Sequence, residues 1–379
     1  MHQNDEIREA LQRLRAKERD ITFGVVGAGH GGLAMAGHLG LMGFPVRLYN
    51  RTGENLHAVR WHGGIRVSGE VEGFGPVQTA SSSMAEAIDG ADILMVVVPA
   101  TAHRFVAEKM ARALRPGQMI VLNPGRTGGA LAFRHALMAQ NVHVPVLIGE
   151  TSTFLYASRA LSRSEARIFR IKNTVRFATL PAYLIPEALP ALRWAFPQFA
   201  AGDSVLSTGM ENIGAIFHPA LTLLNAGRIE STKGDFDYYI EGITPSVARA
   251  LERLDAERVA VAAGLGVHAV SARDWLYLTY GSSGADLYEA IQNTSAYRGI
   301  RAPATIMHRY VTEDVPMSLV PFASLGRMLG VPMPMTEMVI DLANAMHETD
   351  YWADGRTVSK MGIEGMSVKQ IRQLAVGLA

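Results

Sequence analysis

Residues 21–43 read ITFGVVGAGHGGLAMAGHLGLMG. The first part, ITFGVVGAG (21–29), is an apolar, β-branched run ending in glycine and predicts a strand. LAMAGHLGLMG (33–43) is helical and stops at Gly43. Between them Gly27, Gly29 and Gly32 stand in G-x-G-x-x-G spacing. The spacing alone is weak; a strand before it and a helix after it make it specific for a dinucleotide-binding turn. The first glycine permits the tight turn, the second lets the backbone approach a pyrophosphate, and the third lets helix pack on strand. The helix N-terminus then presents free N–H groups and a partial positive charge to the phosphates. Candidate cofactor contacts are therefore Gly27, Ala28, Gly29, His30 and Gly32.

The alternation continues outward. Strands are expected at PVRLYNR (45–51), ILMVVVP (93–99), GQMIVLNPG (117–125) and VPVLIGET (144–151). Helices are expected at 84–92, 102–114 and 129–140. Continuous apolar strands alternating with helices predict a parallel sheet covered on both faces. The stretch ARIFRIKNTVRFATLP (166–181) reads as further strand pairs at the sheet edge. From 211 onward the pattern turns helical, at 211–226, 245–263, 271–279, 283–293, 317–329, 335–347 and 367–377. The expected architecture is α/β: an N-terminal doubly wound Rossmann domain over 1–205, then an all-helical C-terminal domain over 206–379.

Composition narrows the function. The 379 residues carry a net charge of +1, which gives no pull toward nucleic acid or an anionic membrane. With no cysteine there are no disulfides, thiolate metal sites or cysteine nucleophiles, and no metal site is expected. No apolar run approaches the roughly 20 residues of a membrane span. The charged N-terminus, with Ile7, Leu11 and Leu14 on one helical stripe, lacks the apolar core of a signal peptide, so a cytoplasmic enzyme is expected.

At the end of the second strand, where an acid usually holds the ribose of NAD, this chain has Asn50, Arg51 and Thr52. A guanidinium there pairs with a 2′-phosphate and favours NADP(H); an Arg lying over the adenine of NAD(H) is the alternative. Pro99 ends the strand expected under the nicotinamide side, and His103 after it reads as a surface residue at a helix start. A nicotinamide cofactor implies hydride transfer, with one proton to be handled. The candidate for the proton is His218, in the apolar helix NIGAIFHPALTLLNA (212–226) beyond the cofactor domain. Asn225, seven residues on, shares its face, although a buried Asn there, or at Asn212, often bonds only to backbone. A carboxylate to orient the histidine is available in RYVTEDVPMSLVPFASLG (309–326), at Glu313 and Asp314 before a proline.

Across residues 20–375 the chain resembles the opine dehydrogenase family, of the octopine/nopaline dehydrogenase type. The resemblance is carried by GAGHGG, LNPGRTGGALAF (122–133), GETSTFLYASR (149–159), NIGAIFHP (212–219), YRGIRAPATIMHRYVTEDVPMSLVP (297–321), GVPMP (330–334) and DYWADGRT (350–357), in that order. It implies that His218 exchanges the proton and that Asp314 orients it. It also implies that Arg309 binds a substrate carboxylate, and that Thr151 and Thr153 line the amino-acid substrate. A helix cap is the alternative role for Asp314, and a surface ion pair for Arg309. The family's apolar-Pro-Tyr step after the second threonine is here Phe154-Leu155-Tyr156, a departure that bears on the shape of that loop.

The implied reaction is NAD(P)H-dependent reductive condensation of an amino acid with a 2-oxo acid. The rivals are a ketopantoate-type 2-oxo acid reductase and a non-catalytic NADP-binding sensor. Such reductases use a lysine on the first helix of the helical domain; residues 211–226 contain none, and Lys233 lies beyond. The expected partners are the two small-molecule substrates, with no nucleic acid and no membrane. Met-rich segments near 328–346 offer either plain core or a homodimer contact.

Overall fold

The computed structural model describes residues 2–141 and 143–377; Met1, Val142, Leu378 and Ala379, and with them both outer ends of the expected domains, lie outside the described residues. The chain divides into two compact units, Met1–Thr208 with Arg372–Ala379, and Gly209–Ile371. The boundary thus falls three residues later than expected, and the C-terminal tail belongs to the first unit. There Gly377 lies against Tyr183 and Pro181.

In the first unit an eight-stranded sheet has the order β12-β11-β8-β7-β6-β1-β2-β5. Its strands are β1 (Phe23–Val26), β2 (Val46–Tyr49), β5 (Thr79–Ser81), β6 (Ile93–Val96), β7 (Met119–Leu122), β8 (Leu147–Thr151), β11 (Val175–Leu180) and β12 (Phe199–Ala201). All neighbours are parallel except β8 and β11. β1, β6 and β7 are buried at every residue, as their unbroken apolar runs require of a sheet covered on both faces. The surrounding helices are α1 (His2–Lys17), α2 (His30–Leu41), α3 (His57–His62), α4 (Met84–Ile88), α5 (His103–Met110), α6 (Gly129–Met138) and α7 (Ile185–Arg193). Ile7, Leu11 and Leu14 of α1 are buried, as their stripe predicted.

One expectation is corrected. Of the strands at 166–181, only β11 joins the main sheet. β10 (Glu165–Ile171) pairs instead with β9 (Tyr156–Ala160) and β3 (Gly64–Gly69), and β3 with β4 (Gly73–Pro76), in a separate four-stranded sheet. The reason lies in α2, which is buried almost throughout, with Leu33, Met35 and Leu39 among its core side chains. A helix apolar all round needs cover on both sides. The second sheet supplies it with Ile65, Val67, Ala166 and Ile168. The approach is close: a Cβ on Gly37 would lie 2.5 Å from the Val67 Cγ2, and one on Gly75 would lie 1.9 Å from the Gly37 carbonyl oxygen.

After α8 (Val205–Met210) the second unit is helical among the described residues: α9 (Gly214–Leu224), α10 (Ala226–Thr232), α11 (Pro245–Gly264), α12 (Ala272–Tyr280), α13 (Leu287–Gln292), α14 (Arg309–Thr312), a π-helical turn at Val315–Leu319, then α15 (Val320–Leu329), α16 (Pro334–His347), α17 (Tyr351–Asp354) and the start of α18 (Val368–Val376). α11 begins at a Thr244 cap with Pro245 behind it, and packs against α9, α13, α15 and α16. Its buried Arg258 pairs with Asp255 at 2.7 Å and donates to the Val270 carbonyl at 2.6 Å, so the charge is satisfied inside the helical core. No helix among the described residues is long and apolar enough to cross a membrane.

Gly37→Leu should push α2 off the second sheet and destabilise the protein by at least about 1–3 kcal/mol. A denaturant midpoint equal to that of the parent would contradict this packing.

Candidate active site

The glycine turn is built as its sequence predicts. Gly27 follows β1 at φ +115, and a Cβ there would meet the Val97 carbonyl oxygen at 2.4 Å. A Cβ on Gly32 would lie 1.7 Å from the Gly27 carbonyl oxygen, which forces glycine where α2 leaves the strand. Around Gly29 nothing lies within 4 Å of a Cβ position, so space is open at the helix N-terminus. No side chain caps that end of α2. Open space before uncapped amides fits a dinucleotide's pyrophosphate. β1 sits where the strand order reverses, the usual place for a ligand at the carboxyl edge of such a sheet.

Several expected contacts have internal duties. Ala28 N donates to the Asn50 side-chain oxygen at 3.3 Å, and Asn50 donates to the Thr52 carbonyl at 3.0 Å, which shapes the loop after β2. His30 uses its ring Nδ1 to accept from Ala160 N at 2.9 Å, so its backbone rather than its ring is left to a phosphate. Arg51 is exposed, with its guanidinium 5.8 Å from the centre of the Phe105 ring. Pro99 is exposed at the turn after β6. His103 is a correction: it is buried, edge-on to Phe133 at 6.5 Å, because it lies on the inner face of α5.

The loops after β7 and β8 carry the remaining polar groups of this unit. Thr151 is 1% exposed and its hydroxyl donates to the Leu122 carbonyl at 3.3 Å, which fastens β8 to β7. Thr153 accepts from the Lys172 ammonium at 2.6 Å. Burial, and then the nearby Arg126 guanidinium, pull Lys172 down to about 8, which leaves it mostly charged at neutral pH. Neither cation lies on an expected site position, and no spacing rule pointed to Lys172.

In the second unit the structure brings together two residues 96 positions apart: His218 Nδ1 lies 2.7 Å from Asp314 Oδ2. Asp314 precedes the π-helical turn but makes no side-chain cap bond there; its carboxylate is turned to the imidazole. Its side chain is 2% exposed and that of His218 is 20% exposed, so the carboxylate is enclosed while the imidazole remains reachable. With Nδ1–H donated to Asp314, Nε2 is the free nitrogen. Tyr310 stacks on the His218 ring at 4.1 Å and 15°, and Tyr238 stacks on Tyr310 at 5.4 Å. Burial raises the Tyr310 phenol, so it stays neutral beside the pair. His308 meets Tyr310 edge-on; burial first, then Arg309, lower it and favour its neutral form. The His218 carbonyl accepts from the Thr222 hydroxyl at 2.7 Å and the Tyr238 hydroxyl at 3.0 Å. Asn212 donates to the Ser318 hydroxyl at 2.7 Å, tying the start of α9 to the turn that carries Asp314.

Arg309 donates to Glu313 at 2.9 Å; Glu313 is nearly buried, and 64% of the Arg309 side chain is exposed. Asn225 sits at the C-terminus of α9, and its amide nitrogen donates to the carbonyls of Leu221 and Gly242, both at 3.0 Å. Those two bonds close the end of the helix.

Comparison with known proteins adds to this geometry. The family described as "NAD/NADP octopine/nopaline dehydrogenase, alpha-helical domain" matches residues 201–347, and the "NAD binding domain of 6-phosphogluconate dehydrogenase" matches residues 22–127. The opine dehydrogenase of Arthrobacter sp. (strain 1C) is 39% identical over 352 residues, covering 93% of this chain and 98% of the relative. The solved structure of octopine dehydrogenase with NADH and L-arginine shares the fold at a TM-score of 0.78 and 21% identity, covering 94% of this chain and 98% of that one. Yersinopine dehydrogenase with NADP+ bound shares it at 0.71 and 15%, covering 95% and 98%.

Asn212→Ala should lower stability by about 1–3 kcal/mol, since it removes a buried donor from Ser318. Thermal unfolding checks this, and an unchanged melting temperature would contradict it.

Proposed function

This chain belongs to the opine dehydrogenase family, and on that premise we propose that it condenses the α-amine of an amino acid with a 2-oxo acid and reduces the imine to an N-(1-carboxyalkyl) amino acid. The amine and the oxo group give imine and water; a hydride and a proton then give the secondary amine. Reduced nicotinamide supplies the hydride when bound. The observation that carries this reading is the 2.7 Å pair of His218 and Asp314.

An amino acid reaches the enzyme as an ammonium ion and must lose a proton before its nitrogen can attack a carbonyl. His218 Nε2 takes that proton, and Asp314 stabilises the imidazolium that results. The stacked Tyr310 ring holds the imidazole plane while its charge changes. Glu313 grips one edge of the Arg309 guanidinium, which leaves the exposed edge to take a substrate carboxylate. On the first unit, the Thr153 hydroxyl is a further polar group for a substrate. A ketopantoate-type reaction has less support, because α9 holds no lysine.

Asn50, Arg51 and Thr52, directly after β2, include no acid to hold an NAD ribose, and exposed Arg51 suits a 2′-phosphate, so the reading favours NADP(H) over NAD(H). Oxidation of NADPH and of NADH, followed by nicotinamide absorbance against amino acids crossed with 2-oxo acids, tests both points. Turnover that needs both an amine and an oxo acid is the expected result; turnover with the oxo acid alone would overturn the condensation.

His218→Gln, which keeps a donor for the enclosed Asp314, should lower kcat by roughly 10²–10⁴. Asp314→Asn should act through the same pair, so the two losses should fall well short of adding in the double variant. Arg51→Ser should raise KM for NADPH by about tenfold or more and leave NADH little changed, as loss of a charged hydrogen bond requires.

A further inference from the structure

We propose that Lys172, with Thr153 beside it, forms an oxyanion subsite on the first unit that takes the carboxylate of the 2-oxo acid. The proposal rests on the condensation reading and adds to it a residue that no motif pointed to.

Three segments converge here: the turn after β7, the turn after β8, and the link between β10 and β11. Backbone bonds fasten them. Gly125 N donates to the Thr151 carbonyl at 3.2 Å, Ser152 N to the Arg176 carbonyl at 2.9 Å, and Lys172 N to the Leu155 carbonyl at 3.0 Å. The ammonium is therefore held on a built platform and does not sweep through solvent. It gives one of its three protons to the Thr153 hydroxyl, 2.6 Å away. That hydroxyl, as acceptor, keeps its own proton free to donate. Two N–H donors and one O–H donor thus remain for a single oxyanion.

The charges point the same way. Among the described residues no carboxylate lies within ion-pair distance of the Lys172 ammonium, and the nearby charge that acts on it is the like charge of Arg126. Burial and that repulsion together pull it down to about 8. Partial burial of an ammonium works against folding, and a bound anion relieves that penalty.

The location selects the ligand. Arg126 and Thr153 follow the carboxyl ends of β7 and β8, on the β6 side of β1, and the Lys172 side chain reaches Thr153 there, whereas Arg51 follows β2. The ring of Phe154, next to Thr153, packs on Gly31 in the first turn of α2, so the platform borders the dinucleotide loop without being part of it. A carboxylate beside the dinucleotide is the 2-oxo acid's; the rival oxyanion is the cofactor's diphosphate.

The test compares Lys172→Met, Lys172→Arg and Thr153→Val in the full chain. The readouts are KM for pyruvate and 2-oxoglutarate, NADPH affinity by fluorescence, and calorimetric titration of pyruvate into enzyme with NADP+. Lys172→Met should raise the KM and the dissociation constant of the oxo acid by roughly 10–100-fold, the worth of charged hydrogen bonds. NADPH affinity should stay within about twofold, a change too small for a lost charged contact. Lys172→Arg should recover much of the loss, and Thr153→Val should show a smaller rise in the same constants. If Lys172→Met fails to fold, these two variants decide. Weaker NADPH binding with an unchanged oxo-acid constant would assign the site to the diphosphate and overturn the proposal. So would oxo-acid constants that do not move, or a rise confined to the amino acid. If the wild-type chain turns over no amine and oxo-acid pair, the condensation reading fails by itself. Calorimetry still decides the subsite: pyruvate binding lost in Lys172→Met upholds it, and no binding to the wild type overturns it.

Discussion

Helix α2 leaves β1 through a turn with no room for a side chain at Gly27 or Gly32, and the first unit is organised around that approach. The uncapped start of the helix points its amides at open space beside Gly29. The body of the helix is apolar on every face, so one sheet cannot satisfy it. The main sheet covers one side and the four-stranded sheet covers the other, through glycine contacts too close for any side chain. The phosphate cradle and the core of the unit thus follow from a single steric constraint.

In the second unit an enclosed carboxylate plays a comparable part. Asp314 is buried, and a charge there is destabilising unless it is paired. The unit pairs it with an imidazole. The stacked rings of Tyr310 and Tyr238 and the hydroxyls on the His218 carbonyl fix the histidine in place. The bond from Asn212 to Ser318 fixes the turn that carries the acid. An apolar helix carries a histidine at its centre because it forms one side of this pair.

Legibility differed by type of feature. The glycine turn was readable because its requirement is local: three residues within six positions, a strand before and a helix after. Asp314 was readable through motif resemblance, but its choice of imidazole over helix cap depended on how α9 packs. His103 was misplaced because it was read from its neighbours in sequence, whereas its burial is governed by the packing of α5. The internal bonds of Thr151 and Asn225 were not legible either, since they depend on a neighbouring strand or loop. Asn225 closes α9 against Gly242, and Thr151 ties β8 to β7. Lys172 gave no signal, because a lysine three residues before a strand is ordinarily solvated.

By itself the sequence determined the class of fold, the dinucleotide turn and the change from alternating to helical architecture, which rest on periodicity and on short-range sterics acting within a few residues. It also singled out the histidine worth testing, through the proton the chemistry must move and the motif resemblance. Only the tertiary structure decided that β10 builds a second sheet, that His218 meets Asp314 across 96 positions, and that Lys172 is held near Arg126 under a threonine hydroxyl. Those outcomes depend on which apolar faces must be covered and which charges are left paired once they are, and such terms take their values only when distant segments are packed together.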